Sequence, residues 1–112
     1  MDIWTLCKKK KITLEELKTA KGNINNKNKY KSTPFHHICS KGISMEILKY
    51  CCEVLKADIN DKDNTGFTPF HYICISKIDM EILSYCCEVL TADINVMSNS
   101  GSTPFRWLYR LH

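Results

Sequence analysis

The side chains with the greatest chemical potential in this 112-residue chain are its seven cysteines and four histidines. His36-His37-x-Cys39 and His71-x-x-Cys74 set an imidazole and a thiol three residues apart, the spacing that shares one helix face and suits zinc. A zinc site normally needs four convergent ligands, however, and no paired Cys-x-x-Cys completes the set. Cys51-Cys52 and Cys86-Cys87 are vicinal. Within a helix, neighbouring side chains diverge by about 100°, which suits neither a disulfide nor a shared metal. Cys7 stands outside any pattern, and nothing marks it as reactive. There is no phosphate-cradling Gly loop, no Gly-x-Ser-x-Gly elbow and no His-Glu-x-x-His. The expectation is therefore no catalytic residue, no metal and no cofactor.

Charge supplies the next candidate. Residues 1–31 hold nine Lys against Asp2, Glu15 and Glu16, a balance of +6, whereas residues 32–112 balance at −2. Lys8-Lys9-Lys10-Lys11 has the form of a nuclear-import or nucleic-acid patch. No aromatic residues interleave with these lysines as stacking platforms would, and a polar outer face on a terminal element accounts for them as well. The N-terminus is not a secretory signal, and the best apolar run, Tyr50 to Leu55, is short and broken by Glu53. We expect a cytoplasmic or nuclear chain with reduced thiols and no membrane partner. Hydrophobic residues at 44% and charged residues at 25% exclude disordered and collagen-like classes.

The elements that position these side chains come from a repeat. Thr33-Pro34-Phe35-His36 returns as Thr68-Pro69-Phe70-His71 and in part as Thr103-Pro104-Phe105-Arg106, 35 residues apart each time. Residues 33–67 laid over 68–102 without gaps differ at 12 of 35 positions and agree at 23. A worn copy lies upstream: Ile12 to Lys18 aligns with Ile43 to Lys49 at an offset of 31, and Asn23-Ile24-Asn25 with Asp58-Ile59-Asn60 at 35. The missing four residues predict a second helix about one turn shorter in that first unit. The expected division is a degenerate repeat over 1–31, full repeats over 32–66 and 67–101, and a partial one over 102–112.

Each unit reads as two short helices and an extended finger. Thr33 is an N-cap with Pro34 at the first helical position, and Ser44 or Asp79 caps the second helix. Thr13-Leu14-Glu15-Glu16 has the form of a capping box. Phe35, Ile38 and Cys39 share one face, and Leu48, Cys51, Cys52 and Leu55 make a second apolar stripe. Six of the seven cysteines are thus three positions counted twice, read as small buried hydrophobes. Gly66 and Gly101 sit in turn clusters free to take positive φ.

With these motifs the chain resembles the ankyrin repeat family. Thr-Pro-Phe-His stands for its Thr-Pro-Leu-His, Ala57-Asp58-Ile59-Asn60 for its Ala-Asp-Val-Asn, and Asp63-x-x-Gly66 for its turn into the next repeat. The resemblance implies an all-α helical repeat solenoid with short β-turn fingers, in which His36 braces neighbouring turns. The period is 35 and not 33, with one extra residue near the helix–helix turn and one near the end of the second helix. Lys56 and Thr91 replace the Gly that favours a left-handed helix stop, and Lys31 replaces the turn Gly before the first Thr-Pro.

The resemblance also implies a non-enzymatic protein–protein interaction module that grips its partner through the concave face and finger tips. Five of the twelve differences between the full repeats fall in the finger and three on the outward side of the first helix. Such positions are expected to project from the stack. The candidates for partner binding are Lys29, Tyr30, His37, Lys41, Lys62, Thr65, Phe67, Tyr72, Ile75, Met97 and Ser100. Of these Phe67, Tyr72, Ile75 and Met97 are expected to face solvent and to form the centre of the interface. The alternative is a nuclear or nucleic-acid-associated adaptor using the basic first repeat. A helix over 105–112 carrying Trp107, Leu108 and Leu111 would have only the previous repeat to cover it, and is expected to be an abbreviated cap, an apolar end open to self-association, or the start of a continuing chain.

Overall fold

A computed structural model describes residues 1–76 and 79–109. The elements are short helices joined by turns, in the order α1 Ile3–Leu6, α2 Leu14–Thr19, α3 Pro34–Ser40, α4 Met45–Lys49, α5 Pro69–Ser76, α6 Met80–Glu88 and α7 Arg106–Tyr109. This is the expected all-α repeat stack. α2 has six residues, whereas α4 together with the π turn Tyr50–Val54 that prolongs it has ten, so the first unit's second helix is one turn shorter. Of the predicted C-terminal helix, Arg106–Tyr109 is helical, and Leu111 lies outside the described residues.

Local chemistry starts each helix. Thr13 accepts from the Glu16 N–H while the Glu16 carboxylate accepts from the Thr13 N–H, the reciprocal capping pair. Ser44 accepts from Ile47 N–H, and Asp79 from Glu81 and Ile82 N–H. Thr33 caps α3 in a variant of the same box, in which His36 takes the place of glutamate: its Nδ1 accepts the Thr33 N–H at 3.1 Å. His71 and Thr68 repeat the arrangement.

The far ring nitrogen of each histidine then reaches the following finger. His36 Nε2 bonds the carbonyls of Asp61 and Phe67 at 2.8 and 3.2 Å, and His71 Nε2 bonds that of Ser102 at 3.0 Å. The expected brace is present in both full repeats. Both rings are almost fully buried.

The core is a column of the repeated apolar positions. Phe35, Phe70, Cys39, Cys74, Cys51 and Cys86 have no exposed surface, and the Phe70 and Phe105 rings stack edge to face at 5.8 Å. Burial pushes the Cys74 and Cys86 thiols up to about 12, and that of Cys7, whose Sγ donates to Pro34 O, up to about 11. These thiols act as small apolar residues, as their placement on the stripes predicts. Cys52 and Cys87 are half-buried.

The two extra residues per repeat are absorbed differently. Gly42 turns the chain between α3 and α4 at φ 82°. At the end of the second helix the last hydrogen bonds widen: Leu55 N–H reaches Tyr50 O, five residues back, and Ala57 N–H reaches Cys51 O, six back. Leu90 and Ala92 do the same to Tyr85 and Cys86. The helix thus ends one residue wider than an α-helical stop.

Loss of glycine has not removed the left-handed stop, contrary to what the substitutions suggested. Lys56 and Thr91 hold φ of 60° and 54°, and Lys31 holds 60°. At Lys56 and Thr91 the widened bonds flank the residue, from Leu55 and Ala57 in one case and Leu90 and Ala92 in the other.

Two predictions arise from this bracing. A left-handed β-branched residue costs about 1–2 kcal/mol. Less the greater unfolded-state entropy of glycine, Thr91→Gly should stabilise by about 0.5–1 kcal/mol and raise the melting temperature by a few degrees. A lowered melting temperature would contradict the strain. Second, His36 and His71 lie below their ordinary value of 6.5, mainly because burial disfavours the charged ring. Their contribution to stability is complete above that value. It is lost as pH falls through 6.5 toward the lower folded-state values, because the unfolded chain then binds more protons. The urea midpoint should drop between about pH 7 and about pH 5, and a flat profile would refute the assignment.

Candidate functional site

The fingers are built on one acceptor each. Asn28 Oδ1 accepts from the N–H groups of Tyr30 and Ser32, at 2.9 and 3.1 Å. Asp63 Oδ1 accepts from those of Thr65 and Phe67, both at 3.0 Å, and from the Thr65 hydroxyl at 2.7 Å. Ser98 Oγ accepts from Ser102 N–H at 3.1 Å. Neighbouring fingers are joined by backbone bonds, Asn64 N–H to Tyr30 O and Asn99 N–H to Thr65 O, each 2.9 Å. Gly66 is required where they meet: a Cβ there would come within 2.9 Å of Asn99 N. A Lys27–Asp61 ion pair at 2.7 Å adds a side-chain link.

Against this frame sits a slot of about 440 Å3, lined by Thr65, Phe67, Tyr72, Asn99 and Ser100. Phe67 lies over His71 at 4.9 Å and faces Tyr72 at 5.4 Å and Trp107 at 6.1 Å. Tyr72 also walls an adjoining hollow of about 230 Å3, shared with Ser32, His36, His37 and Ser40. It is held by its hydroxyl, which donates to Asp63 Oδ2 at 2.6 Å. Burial pushes the Asp63 carboxyl up, but the bonds from Tyr72, Thr65 and Phe67 outweigh it, and the group stays below the usual range. The arrangement offers an aromatic slot with hydroxyl and amide groups at its edge. It is suited to taking an apolar side chain and reading its polar surroundings.

The structure gathers part of the predicted set. Thr65, Phe67, Tyr72 and Ser100 share the slot, and His37 joins Tyr72 in the next hollow. Tyr30, with Lys29 Nζ 5.1 Å from its ring, stands exposed on the first finger, and Lys62 and Met97 are exposed on the next two. Ile75 lies near the far end of α5 and outside both hollows. Lys41 is separated from the groove and lines a cleft between helix–helix turns.

Two expectations need correction. Phe67, Tyr72 and Ile75 are half-buried, and of the four apolar candidates Met97 alone, 61% exposed, faces solvent freely. Nor do all differing positions project outward. Asp63, Val96, Ser98 and Ser102 are buried, because the finger turn folds its own acceptor inward and seats the residue before Thr-Pro on the next helix. Asn99, Ser32 and Ser40 were missed. Asn99 is identical to Asn64 one repeat earlier, so a comparison that seeks differences passes over it.

Tyr72→Phe should preserve the slot but leave the buried Asp63 carboxylate one donor short. The expected loss is about 1 kcal/mol in urea unfolding, with the Asp63 carboxyl titrating higher by NMR. Unchanged stability together with an unchanged titration would remove Tyr72 from this role.

The chain matches the family model for ankyrin repeats (3 copies) over residues 4–99. A search of curated proteins finds no match. Ankyrin repeats are in general protein–protein interaction modules and typically not enzymes. With a family match over most of its length, this chain belongs to the ankyrin repeat family.

Proposed function

We propose that the protein is a non-enzymatic interaction module that binds a protein partner through the concave face and finger tips of the stack. The observation that carries this reading is the Phe67–Tyr72 slot on a hydrogen-bonded base. An aromatic surface already fixed before binding loses little conformational entropy when a partner arrives. Exposed Lys29, Tyr30, Lys62 and Met97 on the three fingers extend the surface beyond the slot. The thiols that could have suggested chemistry are buried or, at Cys52 and Cys87, half-buried, and burial holds them protonated, the form that is a poor nucleophile. Thiols placed as packing groups suit a reducing, cytoplasmic or nuclear compartment.

The test uses exposed positions, so that folding is not in question. Met97→Ala combined with Ser100→Arg alters the concave face, and Glu81→Lys alters an exposed site on α6 as a control. Proteins captured by the native chain should be retained by the control and lost by the double variant. An identical captured set in all three would defeat the assignment to the concave face.

A further inference from the structure

A separate cleft lies at the other end of α3 from the fingers, between the α1–α2 turn and the α3–α4 turn. It measures about 300 Å3. Its apolar part comes from Ile38 and from Ile12, Ile43 and Ile47, of which the last three keep 8 or 9% of their surface. Ile3, Leu6, Leu17 and Ile38, in the same two units, keep 3% or less. Among the buried aliphatic residues of the first two repeats, Ile12, Ile43 and Ile47 keep the most surface.

Around it stand Lys10, Lys11 and Lys41, all exposed, with Glu46 as the sole acidic lining residue. Lys9 is drawn away into an ion pair with Glu16, whereas none engages Lys10, Lys11 or Lys41 among the described residues. The surrounding residues 1–31 carry the +6 balance of the chain. A positive rim over an aliphatic floor has one simple complement, an acidic segment that presents an aliphatic side chain.

We propose that this cleft is a second docking site, for an acidic peptide that inserts a leucine-like side chain between Ile12, Ile43 and Ile47 while its carboxylates meet Lys10, Lys11 and Lys41. The seven residues of α3, about 10 Å of helix, separate it from the concave groove, so the two surfaces can be occupied independently. The lining contains no aromatic residue on which a base could stack, which favours a peptide over nucleic acid.

The probe is a fluorescein-labelled Asp-Glu-Leu-Glu-Asp peptide, measured by anisotropy at low salt alongside the Leu→Ser peptide and a single-stranded oligonucleotide of equal charge. The Leu peptide should bind and shift the methyl resonances of Ile12, Ile43 and Ile47. Its affinity should fall at least about tenfold in the Lys10→Glu, Lys11→Glu, Lys41→Glu variant, whose fold is checked by circular dichroism. If that variant is misfolded, the milder Lys→Gln set is read in the same way. Equal binding of the Leu and Ser peptides would show only a charged patch and overturn the proposal. So would indifference to the lysine changes, or tighter binding of the oligonucleotide at the same residues. Met97→Ala with Ser100→Arg should leave peptide binding unchanged, so this site stands or falls apart from the concave one.

Discussion

The ring of a buried histidine, bonded at one nitrogen to its own helix start and at the other to the next finger, is the constraint on which this stack depends. Nδ1 of His36 closes the cap of α3, and Nε2 reaches Asp61 and Phe67 at the far side of the repeat. One side chain therefore fixes a helix start, a finger and the spacing between them. A neutral ring is required, because only a neutral ring offers one acceptor and one donor. Helices of four to nine residues are far too short to persist alone. Their order comes from such bridges and from the buried column of Phe35, Phe70 and the cysteines.

Fingers follow the same logic on a smaller scale. Each has a single inward acceptor, Asn28, Asp63 or Ser98, that gathers backbone N–H groups within its own turn. Backbone bonds that span 34 residues, Asn64 to Tyr30 and Asn99 to Thr65, then tie each finger to the next. Side-chain amides add further links, Asn25 to Lys56 O and Asn60 to Thr91 O. The left-handed turns at Lys56 and Thr91 thereby present their carbonyls to the preceding finger. These side-chain bonds add to the widened bonds of the helix end in holding the strain at the two residues.

Most of the architecture was legible in the residues because it rests on local rules repeated in register. The caps at Thr13, Thr33, Ser44 and Asp79, the shortened α2 and the burial of the paired cysteines all follow from spacing and residue type. What was not legible depends on geometry that spacing does not carry. Positive φ at Lys56 and Thr91 is imposed by a helix end widened to i→i+5 and i→i+6 bonds, against the preference of both residues. Lys41 parts company with Lys62 because the helix–helix turn and the finger lie at opposite ends of α3. Tyr72 reads as a free surface ring in the sequence because nothing in a helical stripe shows a hydroxyl bonded to an acid nine residues earlier.

That last pairing shows how the groove acquires its individual shape. Position 63 and its repeats at 28 and 98 must each supply an acceptor for the turn, and Asn, Asp and Ser all do so. Only the carboxylate also carries a second, charged oxygen aimed at the first helix, and the residue nine positions on is a tyrosine that donates to it. Where the acceptor is Asn28 or Ser98, the residue nine positions on is His37 or Trp107. The scaffold therefore tolerates several turn acceptors, but each choice changes which large side chain can be held upright beside it. Phe67, replaced by Ser32 and Ser102 in the neighbouring fingers, sets a ring against Tyr72 that neither serine can supply. The shape of this groove is thus set by small correlated sets that span a finger and the following helix, each compatible with the same histidine brace beneath.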